Sequence, residues 1–272
     1  MKTHNDMVFP KREQNSNKGT FGTVLNVSGS NEYSGAAILS SVAALKSGAG
    51  KVILCSSENT LTAASFQVPE LVLIKRQKIN FSGISSVILG CGLSQDNDAV
   101  ETFWHTLDNI RNLPLVIDAD GLNILSKNNC KLPPNTILTP HPKEMSRLMN
   151  ISVDDILKNP KEVTLKCVEK YSATVVLKLH NTLVANKDKN IYINNTGNSA
   201  LAKAGSGDVL AGIIGGFLAQ GLDCFNAAKT GVFVHGLAGE LASKDLSEYS
   251  VLASDLNNYI GKAFKTYFDI LE

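Results

Sequence analysis

The chain has no paired cysteines, no run of one charge and no apolar stretch of bilayer length. Its five cysteines, Cys55, Cys91, Cys130, Cys167 and Cys224, lie far apart, with no CxxC and no histidine at metal-ligand spacing. Isolated thiols in odd number exclude a disulfide framework and a closed zinc set, and a reduced, intracellular protein is the expectation. Twenty-six basic residues face 25 acidic ones, so the net charge is +1 and no electrostatic footprint exists for nucleic acid or a membrane surface. The longest apolar run, Val209 to Leu222, contains four glycines and is too short to span a bilayer. The polar start, Met1-Lys2-Thr3-His4-Asn5-Asp6, lacks the apolar segment of a secretory signal, which makes the cytoplasm the expected location. Two phosphate-binding signatures are also missing. No Gly-Lys-Ser/Thr completes a Walker A loop, and no GxGxxG supports a dinucleotide oxidoreductase.

What is present is an ordinary globular composition, 43% hydrophobic against 19% charged, with no linker or repeat, so residues 1–272 read as a single domain. Residues 1–20 look like a polar arm wrapping it. Thr23–Val27, Lys51–Cys55, Ser86–Leu89, Leu115–Ile117, Thr136–Leu138 and Val175–Leu177 are short, largely apolar runs, the texture of parallel strands covered on both faces. Helical patterns fall between them, over 35–47, 98–111 and from Lys143 onward. Each strand ends in glycine or polar residues, where open α/β sheets bind ligands. Thr182–Ala185 and Asn190–Ile193 flank a polar turn and predict an antiparallel hairpin on the sheet edge. Helices over 208–221, 226–246 and 254–268 complete an α/β chain with a mostly parallel sheet.

The chemistry concentrates in Ala202-Lys203-Ala204-Gly205-Ser206-Gly207-Asp208, a small-residue loop running into an apolar helix. Gly205 and Gly207 are expected to take positive φ, letting successive N–H groups point into one concavity. The helix adds its unpaired first-turn amides and the positive end of its dipole. Asp208 beside such an anion hole suggests proton chemistry; the alternative is that it caps the helix. Gly212, Gly215 and Gly216 each cost about 1 kcal/mol in a helix interior, which implies close packing against a neighbour.

Other candidates remain open between two readings. His141, between two prolines, is held at a strand end or fills a loop gap. Lys178 ends an apolar strand, so its ammonium is paired, ligand-facing or snorkelling. Asp118 and Asp120 follow Ile117, and Asp120 reads as the cap of a helix over Gly121–Leu125. His4, His105, His180 and His235 show no partner in the sequence. One anion loop, one junction carboxylate and several polar strand ends together point to phosphoryl transfer to a hydroxyl.

Taken in order, Asn26-Val27-Ser28-Gly29-Ser30, Tyr33-Ser34-Gly35-Ala36-Ala37, Leu89-Gly90-Cys91-Gly92-Leu93, Ile117-Asp118-Ala119-Asp120-Gly121, Thr139-Pro140-His141-Pro142 and the 204–212 loop resemble the ribokinase-like NAD(P)H-hydrate dehydratases over residues 15–265. The resemblance implies a ribokinase-like three-layer α/β/α sandwich. It implies repair of the hydrated cofactors NADHX and NADPHX by phosphorylation of the ring hydroxyl and loss of phosphate, with ADP (or ATP) as donor and Mg2+. It implies Asp208 as base and Gly205, Ser206 and Gly207 as anion hole. Ala36, Ala37, Gly92 and His141 would contact the substrate, and Lys178, Leu179, His180, Asn181, Thr182 and Gly207 the nucleotide. No protein side chain would fix the metal. A homotetramer, and an epimerase on a separate chain, are the implied partners. The chain departs from the family at Cys91, where Gly-Pro-Gly is usual, at Leu179, where glycine follows the lysine, and at Asn17 before Lys18-Gly19, where histidine is common. The other readings of the same residues are a ribokinase-like kinase for a thiazole or pyrimidine alcohol, and a non-catalytic nucleotide sensor.

Overall fold

A computed structural model describes residues 7–110, 112–128 and 130–271; the polar start at 1–6, with His4, and position 111, the expected end of a helix, lie outside them. Among the described residues nine strands form one sheet: β1 (Thr23–Val27), β2 (Lys51–Ser56), β3 (Val72–Lys75), β4 (Ser86–Leu89), β5 (Leu115–Ile117), β6 (Thr136–Leu138), β7 (Thr174–Leu177), β8 (Leu183–Ala185) and β9 (Ile191–Ile193). Their order is β3-β2-β1-β4-β5-β6-β7-β8-β9, parallel through β7 and antiparallel across β8 and β9. The expected edge hairpin is therefore present. Strand order reverses between β1 and β4, which makes the carboxyl ends of these two strands a natural ligand crevice.

Ten α-helices among the described residues cover the sheet: α1 (Ser34–Lys46), α2 (Glu58–Gln67), α3 (Asn97–Asn109), α4 (Asp120–Leu125), α5 (Pro142–Met149), α6 (Val153–Lys158), α7 (Pro160–Tyr171), α8 (Ser206–Ala219), α9 (Cys224–Leu246) and α10 (Ala253–Leu271). Side chains alternate along each strand, so the apolar runs feed two cores. Val24, Val52, Ile88, Val116, Ile137 and Val176 face the layer of α1, α2 and α8–α10. Leu25, Val87, Leu115, Ile117, Leu138 and Val175 face the layer of α3–α7. Each fully buried Leu or Ile contributes about 1.5–3 kcal/mol. This is the α/β/α sandwich expected above. No helix among the described residues is long and apolar enough to cross a membrane.

The arm packs rather than dangles. Phe9 meets Phe217 edge-on at 6.0 Å and Phe264 at 5.8 Å, and Val8 exchanges hydrogen bonds with Thr230 Oγ1. Helix α8 is apolar nearly all round because it is buried on every side. Its glycines explain how it comes so close. A Cβ at Gly212 would lie 2.2 Å from Ser40 O on α1, and one at Gly216 2.1 Å from Oγ of Ser47, the C-cap of α1. At Gly215 it would lie 2.5 Å from Ile88 Cγ1 in the sheet. The implied close packing thus holds on two faces, and it fixes the start of α8 against the strand ends.

Candidate functional site

The glycine loop delivers α8 to the carboxyl edge of the sheet. Gly205 is its N-cap with φ +90°, and a Cβ there would press 2.7 Å from Leu39 Cδ1. The expectation for Gly207 is corrected: its φ is not positive, and it sits inside the first helical turn. Its missing side chain keeps open the space toward Lys178 Nζ and Asp118 Oδ2, 3.4 and 3.6 Å from where a Cβ would stand. Ser206 is buried, with His235 Nε2 3.1 Å from its Oγ and 2.9 Å from its carbonyl oxygen. A carbonyl only accepts, so Nε2 carries the hydrogen. Burial pushes His235 down to about 4, keeping it neutral. His235, without a visible partner in the sequence, thus buttresses the glycine loop at Ser206.

Asp208 does not cap α8, since Gly205 holds that position and no side-chain cap is made. It stands in the first turn, partly buried, and its carboxyl is pushed up to about 7, first by burial and then by the Asp118 carboxylate. Such a group can take or give a proton near neutrality, as a general base must.

Lys178 is paired. Its ammonium donates to Asp118 Oδ1 at 2.6 Å and lies 3.7 Å from Glu144 Oε2. Burial opposes its charge, but Asp118 and then Glu144 hold it above the ordinary lysine range. Glu144, not singled out from the sequence, is only 5% exposed, and burial lifts it to about 7. It accepts the His141 N–H at 2.7 Å. His141 in turn caps α5: Nδ1 accepts the amides of Lys143 and Glu144 at 3.1 and 3.2 Å. This capping box fixes the Nε2–H tautomer; Nε2 lies 3.4 Å from Glu144 Oε1, and the ring is half exposed at the cavity. Burial, then Lys178, lowers its pKa, which keeps the ring neutral.

Asp120 is also corrected. It is the first residue of α4, whose N-cap is Ala119, and its oxygens accept from Ser94 N and Gln95 Nε2 instead. On the other side of the crevice Gly92, at φ +58°, abuts α1, where a Cβ would lie 2.8 Å from Ala36 Cβ. Ala36 is partly exposed there, whereas Ala37 is buried against Gly29. The two loops are joined by Gly29 N–H donating to Cys91 O at 2.8 Å.

A cavity of ≈ 870 Å³ opens beside the loop. Lys178, Leu179, His180, Thr182 and Gly207 line it, with His141, Ser206 and His235; Asn181 is exposed outside its lining. The turn at 194–199 also contributes, and nothing in the sequence marked it beyond its asparagines and Gly197. Its apolar floor and polar rim suit a nucleoside with phosphates directed at the start of α8.

Cys91 Sγ and carboxylate oxygens of Asp118 and Asp208 lie within 4.8 Å of one another. They do not suit magnesium. Lys178 already sits on Asp118, and burial, then Asp208, holds the thiol protonated by raising its pKa.

A family model described as NAD(P)H-hydrate dehydratase matches residues 24–262. An ADP-dependent (S)-NAD(P)H-hydrate dehydratase of Neisseria meningitidis is 43% identical over 249 residues, covering 86% of this chain and 81% of that one. A bifunctional NAD(P)H-hydrate repair enzyme of Moorella thermoacetica is 34% identical over 270 residues, covering 93% of this chain and 51% of that one. The chain thus spans about half the length of that bifunctional relative. The crystal structure of the Bacillus subtilis ADP/ATP-dependent NAD(P)H-hydrate dehydratase, co-crystallized with ATP and Mg2+, superposes with a TM-score of 0.87 at 30% identity, covering 95% and 94% of the two chains.

Proposed function

Because this chain belongs to the NAD(P)H-hydrate dehydratase family, we propose that it returns hydrated NADH and NADPH to their reduced forms, with ADP as phosphoryl donor. The nucleotide would occupy the cavity lined by Lys178, Leu179, His180, Thr182 and Gly207, with Asn181 at its rim. The hydrated nicotinamide would lie across Ala36, Gly92 and His141, with Ala37 supporting from beneath. A magnesium ion would arrive on the nucleotide's phosphates, neutralising their charge, since the one acidic cluster found among the described residues, with its thiol and Lys178, does not suit it.

The observation that carries this reading is the place of Asp208. It stands in the first turn of α8 beside the amides of Gly205, Ser206 and Gly207, with a carboxyl that titrates near neutrality. Asp208 takes the proton of the ring hydroxyl as that oxygen bonds to phosphorus, and the bond from phosphorus to the nucleotide breaks. The phosphate so formed is a good leaving group. It departs with the electrons of its C–O bond while a proton leaves the adjacent ring carbon, restoring the ring double bond. The Gly205 and Gly207 amides stabilise the migrating phosphoryl charge throughout, while Ser206 N–H is engaged with Lys203 O at 3.3 Å. From the family resemblance the proposal also includes a homotetramer and an epimerase carried on a separate chain.

Incubation of the purified protein with hydrated NADH, ADP and magnesium tests it. Recovery of NADH absorbance with one AMP and one phosphate per turnover is expected. No turnover with ADP or ATP, or a stable phosphorylated alcohol as product, would contradict it.

A further inference from the structure

The charges around the anion loop leave an arriving polyphosphate short of cations. Lys178 is neutralised by Asp118 at 2.6 Å and faces Glu144 as well, and Asp208 adds a further acidic group. The amides and dipole of α8 supply only about half a positive charge. The cavity holds one other ammonium, that of Lys203, two residues before the N-cap Gly205. Lys203 forms no ion pair among the described residues. Its Nζ donates to a single acceptor, the carbonyl of Tyr249 at 2.5 Å, in the turn between α9 and α10. An ammonium has three hydrogens, so two remain for a ligand, and its four-carbon stem is free to turn.

No carboxylate is among the described residues lining the cavity, so nothing there competes with phosphate for Lys203. The loop backbone also holds the residue in place: Ser206 N–H donates to Lys203 O at 3.3 Å, so the lysine root is fixed relative to the anion hole. We propose that Lys203 is the phosphate-binding cation of the nucleotide cavity, engaging the diphosphate while Lys178 stays with Asp118. This assignment rests on the nucleotide reading of the cavity. Its competitor is a structural tether, in which Lys203 only anchors the Tyr249 turn.

Calorimetric titration of the intact protein with ADP plus magnesium, and separately with adenosine, distinguishes the two. Lys203→Met keeps the apolar stem and removes the charge; Lys203→Arg keeps the charge. Lys203→Met should weaken ADP binding about tenfold, the scale of one charge-assisted contact, and leave adenosine unchanged. Lys203→Arg should bind ADP within about twofold of the unaltered protein. Unchanged ADP affinity in Lys203→Met would overturn the assignment alone, as would an equal loss for adenosine, the mark of a tether. An unaltered protein that binds neither ligand would overturn the nucleotide reading and the assignment with it.

Discussion

Lys178 Nζ donates to Asp118 Oδ1 at 2.6 Å across 60 residues of sequence, joining the end of β7 to the end of β5 beneath the glycine loop. Asp118 is 1% exposed, so the pair is largely shut off from water. Asp118→Ala leaves an ammonium facing a void and should destabilise the fold by about 3 kcal/mol. Combining it with Lys178→Met should recover part of that loss, because the orphaned charge disappears. Denaturant unfolding of the three variants measures this, and strictly additive losses would contradict the pairing.

Asp208 and Glu144 both titrate near 7 in the folded chain, against about 4 when unfolded. Between those values the folded protein keeps protons that the unfolded chain has released. Their contribution to stability therefore falls as pH rises from about 4 to 7. Asp208→Asn removes one of the two groups. It should leave the stability at pH 4 nearly unchanged and raise it above pH 7, on the order of 1–3 kcal/mol. Melting curves at the two pH values check the sign.

Gly212 and Gly261 should respond to alanine in opposite directions. A Cβ at Gly212 would enter Ser40 O and Ala43 Cβ, at 2.2 and 2.5 Å, so Gly212→Ala should destabilise by about 2 kcal/mol or more. Nothing lies within 4 Å of a Cβ at Gly261, inside α10, so Gly261→Ala should stabilise by about 1 kcal/mol. Thermal unfolding of both reports whether α8 is held to α1 by glycine contact.

His141 has two separable tasks. His141→Ala removes the acceptor for two amides at the start of α5 and should lower stability by about 1 kcal/mol. His141→Asn, a good cap, should restore stability, while KM for the hydrated cofactor stays raised about tenfold because the Nε2–H donor is gone. Unfolding and steady-state kinetics on the same pair of variants test the split.

The sheet is readable because Val24–Val27, apart from Asn26, and Val87–Leu89 and Leu115–Ile117 are apolar on both faces and end in turn residues. Strand β3 and helix α2 are not. β3 is an edge strand with exposed Val72 and Lys75, and Glu58–Gln67 buries only Thr60, Leu61 and Ala64, too narrow a stripe to stand out. In the site, Gly205 and Asp208 were visible because loop and helix are contiguous. The partnership of Lys178 with Asp118 and Glu144, and of His235 with Ser206, is made by the fold alone, from residues far apart in the chain. Local reading assigned Asp120 to a cap for the same reason: its partners Ser94 and Gln95 come from another strand end.

The most direct test is single-turnover dehydration of hydrated NADH by Asp208→Asn with ADP and magnesium, beside ADP binding by the same variant. Removal of the proton acceptor should slow the reaction about a thousandfold while ADP affinity stays within about threefold. Turnover at the unaltered rate would show that another group accepts the hydroxyl proton.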